Sequence, residues 1–129
     1  MVDDGPARAT VSEHEPVATA TRQIRRTLRT LLAGWGLAAE VVEDALLVVE
    51  ELVTNVVDHA HTRFQLAVRL TNHVLHVSVR DGASALPQVR PLDPDAARGR
   101  GLQVIASIAQ QWGCDRHERG KTVWADLAF

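Results

Sequence analysis

The segment from Val41 to Ala60 constrains this chain more than any other. Val41, Val42, Ala45, Leu46, Val49, Leu52, Val53, Val56 and Ala60 recur at helical spacing. They trace a long helix that is apolar on most sides, and a rod of that kind is covered by other elements rather than by water. One seam breaks the pattern. At 100° per residue, Asp44, Glu51, Asn55 and Asp58 fall within about 40° of a common line. Such a seam is either the solvent-facing stripe of an amphipathic helix or a set of buried polar groups that need partners. The helix alone does not choose between them.

What could cover this helix is legible on both sides of it. Upstream, Val17, Ala20, Ile24, Leu28, Leu31 and Leu32 recur at helical spacing, from Pro16 as a plausible first helical residue to Gly34. Downstream, Phe64, Leu66, Val68 and Leu70 alternate with polar or small residues. Asn72 and His73 form a turn, and Leu75, Val77 and Val79 alternate again, which predicts a β-hairpin. Leu102, Ile105, Ala106 and Ala109 predict a third helix. Two short strands follow, around Gly113 to Arg116 and Lys121 to Leu127, joined at Gly120. Residues 1–13 read as a loose tail with a short edge strand near Ala9 to Ser12. The 129 residues suffice for one domain, placed at 14–129, and not for two.

Two further features bear on chemistry. By strict alternation Asp81 falls on the same face as Leu75, Val77 and Val79, so an apolar row ends in a carboxylate that needs a hydrogen-bond donor. An Asp before Gly is commonly a turn former, whereas a ligand amino group would also satisfy it. The stretch from Gly82 to Arg100 then carries three of the five prolines and no sustained period, and a long loop inside a compact domain is usually functional. Gly99, Arg100 and Gly101 close that loop and open the third helix. Glycines there let backbone N–H groups approach a phosphate at a positive helix end, although Gly-x-Gly by itself is often mere punctuation.

Bulk properties exclude several classes. The apolar fraction of 46% and charged fraction of 23% are those of an ordinary globular protein. Fourteen basic and sixteen acidic residues give a net charge of −2, with no positive field for a nucleic acid. Arg22, Arg25, Arg26 and Arg29 cluster on the first helix and read as a solvated face. No run approaches a membrane span. Cys114 is alone, so no internal disulfide forms, and a cytoplasmic location is expected. His59 and His61 have no companion Cys or His cluster of zinc-site spacing.

Three boxes then arrive in order: Glu51-Leu-Val-Thr-Asn55-Val-Val-Asp-His59-Ala60, Val77-Ser-Val-Arg-Asp81-Gly82 and Gly99-Arg100-Gly101-Leu102. From about Pro16 to Leu127 the chain resembles the GHKL ATPase superfamily and, more narrowly, the bacterial anti-sigma-factor serine kinases. The resemblance implies an α/β (α+β) two-layer sandwich of a mixed β-sheet and about three helices, the Bergerat-type fold. ATP would lie between the layers under a lid formed by about Ala83 to Arg98. It further implies that Asn55 places its amide oxygen on Mg²⁺, that Asp81 accepts from the adenine amine and that Glu51 is the general base. Gly99, Arg100, Gly101 and Leu102 complete the cofactor site.

The sequence departs from the family pattern in three places. The adenine box, usually Asp-x-Gly-x-Gly, reads Asp81-Gly-Ala83-Ser-Ala85; the lid is short and broken by Pro87, Pro91 and Pro94; and Gly120 is followed by Lys121 before Thr122, where the family has Thr directly after Gly. Thr122 is taken as an adenine-side contact. The implied partners are a STAS-type anti-anti-sigma protein, phosphorylated on serine, and a sigma factor, with no direct nucleic acid and no membrane. Homodimerisation is left open. The alternatives are a non-catalytic, ATP-dependent protein-binding module and the stand-alone ATPase domain of a two-component sensor.

Overall fold

The structure is a computed structural model describing residues 8–83 and 101–129. Its elements run β1 (Arg8–His14), α1 (Ala18–Gly34), α2 (Ala39–Asn55), a π-helical turn (Val56–Ala60), β2 (Phe64–Thr71), β3 (Val74–Asp81), α3 (Gly101–Ile108), β4 (Gln111–His117) and β5 (Gly120–Ala128). The edge strand expected near Ala9 to Ser12 is present and longer, so residues 8–13 lie in the sheet, paired with β2.

The strand order is β1-β2-β3-β5-β4. Every neighbouring pair is antiparallel, which corrects the expectation of a mixed sheet while leaving the α+β sandwich intact. The reason is topological. Two helices, not one, connect β1 to β2 and return the chain in the opposite sense. The single crossover through α3 leaves β4 running in the same direction as β3, but β5 turns back and inserts between them. A parallel pair therefore never becomes adjacent.

The three helices cover one face of the sheet. On α1, Ala20, Ile24, Leu28 and Leu32 are buried, a single stripe at four-residue spacing. Pro16 lies ahead of this helix rather than in it, because Val17 is extended at φ −121° and ψ 149°. The arginine side of α1 faces water. It is not wholly unpaired, since Arg25 bonds Glu50 at 3.0 Å and Arg29 pairs with Glu43, both on α2. Pairs this exposed contribute little to stability.

Helix α2 buries a much wider arc, comprising Val42, Ala45, Leu46, Val48, Val49, Leu52 and Val53. It packs against α1, α3, β3 and β5 at once. From the sheet, Leu66, Val68, Leu75, Val77, Val79, Val123, Ala125 and Leu127 point into the same core, as period-two alternation requires. Each fully buried Leu or Val contributes about 1.5–3 kcal/mol of transfer free energy.

Candidate functional site

The polar seam of α2 passes from solvent into the edge of the sandwich. Asp44 is exposed, whereas Glu51, Asn55 and Asp58 are half-buried. Glu51 and Asn55 are one turn apart, about 6 Å along the axis. Asn55 is the last α-helical residue, and the chain then widens into the π-helical turn, closed by His61 N donating to Val56 O at 2.8 Å. His61 itself is left-handed at φ 56°. Single π turns inside helices are rare and concentrate at functional sites. Here the turn follows directly on the seam.

The chain next ties itself to the end of β3. Thr62 Oγ1 accepts from Gly82 N at 2.9 Å and donates to Arg63 O at 3.0 Å, and Phe64 pairs in register with Asp81. These contacts hold the exit of α2 beside Asp81. Sequence reading did not single out Thr62. Its position between a helix exit and a strand was the only signal.

Asp81 is 5% exposed and lies on the core face, as alternation predicted. Its carboxylate has donors within the protein, as a buried acceptor requires. Lys121 Nζ reaches Oδ1 at 3.1 Å and Oδ2 at 3.0 Å, and Ala83 N donates to Oδ1 at 2.8 Å. The last of these is the Asp-turn contact, so the turn-forming role and the buried-acceptor role coexist. Lys121 is itself buried, with 7% exposure.

Thr122 is not on this side. It pairs in register with Arg80 and Asp115 and bonds His117 Nε2 through its hydroxyl at 2.7 Å, on the face away from the helices. The inward position beside Asp81 is held by Lys121, because strand alternation sends residues 121, 123, 125 and 127 inward together. That alternation was readable in the sequence.

Gly120 makes the pairing close. At φ +151°, it lies where a Cβ atom would stand 1.9 Å from Asp81 O, so β5 passes the end of β3 more tightly than any side chain permits. Nearby, burial raises the Cys114 thiol pKa above its ordinary value, with Lys121 opposing the shift and the charges of Asp115 and Asp81 adding to it. That suits a packing residue better than a nucleophile.

Gly101 opens α3, and Leu102, 4% exposed, belongs to the core that α3 shares with α2. Gly99, Arg100 and residues 84–98, where the lid is expected, lie outside the described residues. Among the described residues no three His, Cys, Asp or Glu side chains are grouped so as to hold a metal. Nor is any helix long and apolar enough to cross a membrane.

A helical layer on an antiparallel sheet, with an acid and an amide on the central helix and a buried carboxylate ending a central strand, defines an α+β sandwich of the ATPase-domain class. The family model for the histidine kinase-like ATPase domain matches residues 15–127, and the chain belongs to that family. Membership expected from the three sequence boxes therefore holds, and with it an ATP-binding domain. Among solved structures, the chain is similar to the RsbU and RsbW domains of Rv1364c from Mycobacterium tuberculosis, with a TM-score of 0.73 and 18% identity over 94% of this chain and 32% of that one. At that identity the likeness is one of fold, and this chain spans about a third of the length of the protein it matches. No curated protein matches it.

Proposed function

We propose that this domain is an anti-sigma factor of the serine-kinase type, which binds ATP with Mg²⁺, phosphorylates a serine of a small STAS-type antagonist and holds a cytoplasmic sigma factor. One observation carries the reading: Glu51 and Asn55, one turn apart and half-buried, end the helix whose exit is tied to the Asp81 strand end. The motif resemblance to the anti-sigma-factor kinases points the same way, and the shared fold with a chain that holds an RsbW domain is in keeping with it.

The donor set fits the cofactor. Asn55 offers an amide oxygen, a hard donor that suits Mg²⁺, which takes few protein ligands and completes its shell with phosphate oxygens and waters. Bound there, Mg²⁺ would neutralise phosphate charge. Glu51 accepts the proton of the substrate serine hydroxyl as that oxygen attacks the terminal phosphorus and the bond to the leaving diphosphate breaks. Asn55 fixes the metal-bearing end of the nucleotide and Asp81 the base. Gly101, which opens α3, and Gly99 and Arg100 before it in sequence would offer backbone N–H groups to the phosphates.

The test is transfer of labelled phosphate from ATP to the antagonist by the purified chain. Glu51→Gln retains nucleotide and loses transfer by about a hundredfold or more, while Asn55→Ala loses Mg²⁺-dependent binding. A wild-type chain that binds ATP·Mg²⁺ yet transfers nothing to any antagonist serine would refute the kinase.

A further inference from the structure

The end of the sheet that carries Asp81 has a second side. Alternation turns Phe64 and Asp81 towards the helices, so their neighbours Gln65 and Arg80 take the uncovered face. The lining of an open cleft of about 380 Å³ there includes Glu13, Arg63, Gln65, Arg80 and Arg119. The Asp81 carboxylate adds no charge to this side, because it is 2% exposed and paired with Lys121.

The three arginines are not equivalent. Arg63 is already matched, by Glu15 at 2.7 Å and Glu13 at 3.7 Å. Arg80 and Arg119 are exposed, and among the described residues neither side chain has a hydrogen bond or an ion pair. For Arg80 the register supplies the reason: its cross-strand neighbours are Gln65 and Thr122, both neutral, where an opposite charge would stabilise the sheet. Arg119 is held nearby through Gly120, whose close approach to Asp81 O and Gly82 Cα seats the turn between β4 and β5 against the end of β3. Asp115 and Glu118, the acids of the adjoining strand and turn, are not part of the lining.

Two unmatched guanidinium forks beside the Gln65 amide define a ligand. A carboxylate carries one charge and two oxygens, which a single fork satisfies. A phosphate monoester carries nearly two charges at pH 7 and three free oxygens, and the cleft has room for its ester group as well. We propose that this cleft binds a phosphate monoester dianion, with Arg80 and Arg119 as the charged donors and Gln65 as a neutral one. The site lies on the sheet face away from the helices, so the proposal goes beyond the nucleotide-site reading and does not depend on it.

Titration of the isotope-labelled whole chain with O-phospho-L-serine, followed by NMR, tests this. Amide shifts should concentrate at Gln65, Arg80, Gly82 and Arg119 and saturate below about 10 mM probe, while serine itself should produce none. Arg80→Gln and Arg119→Gln, both at exposed positions, should each weaken binding about tenfold or more, and Arg63→Gln by less than about threefold. A blocked glycine–phosphoserine–glycine peptide separates two sources of the ester. Binding about tenfold tighter than the free amino acid assigns the site to a phosphorylated protein segment, and equal binding assigns it to a small phosphorylated metabolite. One equivalent of ATP·Mg²⁺ should leave the shifts in place. Absence of saturable shifts at these residues, equal shifts along the α1 arginines, displacement by that ATP, or unchanged binding in both variants would overturn the proposal. A chain that binds no ATP yet keeps these shifts would refute the nucleotide reading alone.

Discussion

Replacing Gly120 by Ala adds one methyl group at the point where β5 passes the end of β3. The new Cβ atom would stand 1.9 Å from Asp81 O, 2.9 Å from Asp81 C and 2.9 Å from Gly82 Cα. All three are backbone atoms, so no rotamer change relieves the clash. Real Cβ contacts stop near 3.0 Å, which demands a shift of about 1.1 Å in one strand end. Overpacking of this kind costs about 1–3 kcal/mol. Holding a non-glycine residue at φ +151° costs about another 1–3 kcal/mol. A loss of about 2–6 kcal/mol is expected, a large share of the 5–15 kcal/mol typical of a folded domain, with the melting temperature falling by about 3–5 °C for each kcal/mol. Urea unfolding followed by tryptophan fluorescence reads it. Gly113→Ala is the internal comparison: its Cβ would meet the Trp124 ring at 2.8 Å, but a side chain can tilt, and the cost should stay near 1 kcal/mol. A Gly120→Ala loss below about 1 kcal/mol, or one smaller than that of Gly113→Ala, refutes the close-approach argument.

Two further outcomes follow from the packing. Leu52 is 1% exposed on the core side of α2, so Leu52→Ala should cost about 2–5 kcal/mol in urea unfolding, and a loss under 1 kcal/mol would mean the helix is not the covered centre described. His14, bonded to Ser12 Oγ at 2.7 Å and 5.3 Å from the Phe64 ring, has its pKa lowered from 6.5 by burial. The unfolded chain therefore takes up this proton first: stability is full above about pH 6.5 and declines as pH falls through that value towards the folded pKa. Comparing urea midpoints of wild type and His14→Gln from pH 7.5 to 5 checks this. The variant should lose less on acidification, and parallel curves would contradict it.

Much of the molecule was legible because its signals are local. Helical spacing located α1 through α3, and alternation located the β2–β3 hairpin, the inward row of β3 and the buried position of Asp81. The seam of Glu51 and Asn55 followed from 100° per residue alone, and the three boxes around it sufficed to place the family. Boundaries slipped where local conformation overrode pattern. Pro16 stays outside α1 because Val17 is extended, and the helix expected to run to Ala60 changes to π geometry after Asn55. No periodicity signals that change.

Tertiary structure alone decided the pairings between distant segments. That the sheet is antiparallel throughout depends on β5 inserting between β3 and β4, a choice of neighbour that strand patterns do not encode. That Asp81 meets Lys121, forty positions away, depends on the register of β3 with β5 and on a glycine that permits their approach. Sequence periodicity reports which face a side chain takes, since that is a property of the local backbone. The partner it finds there is set by how separate elements dock, and in this protein that docking puts the Lys121 ammonium group against the carboxylate that ends β3.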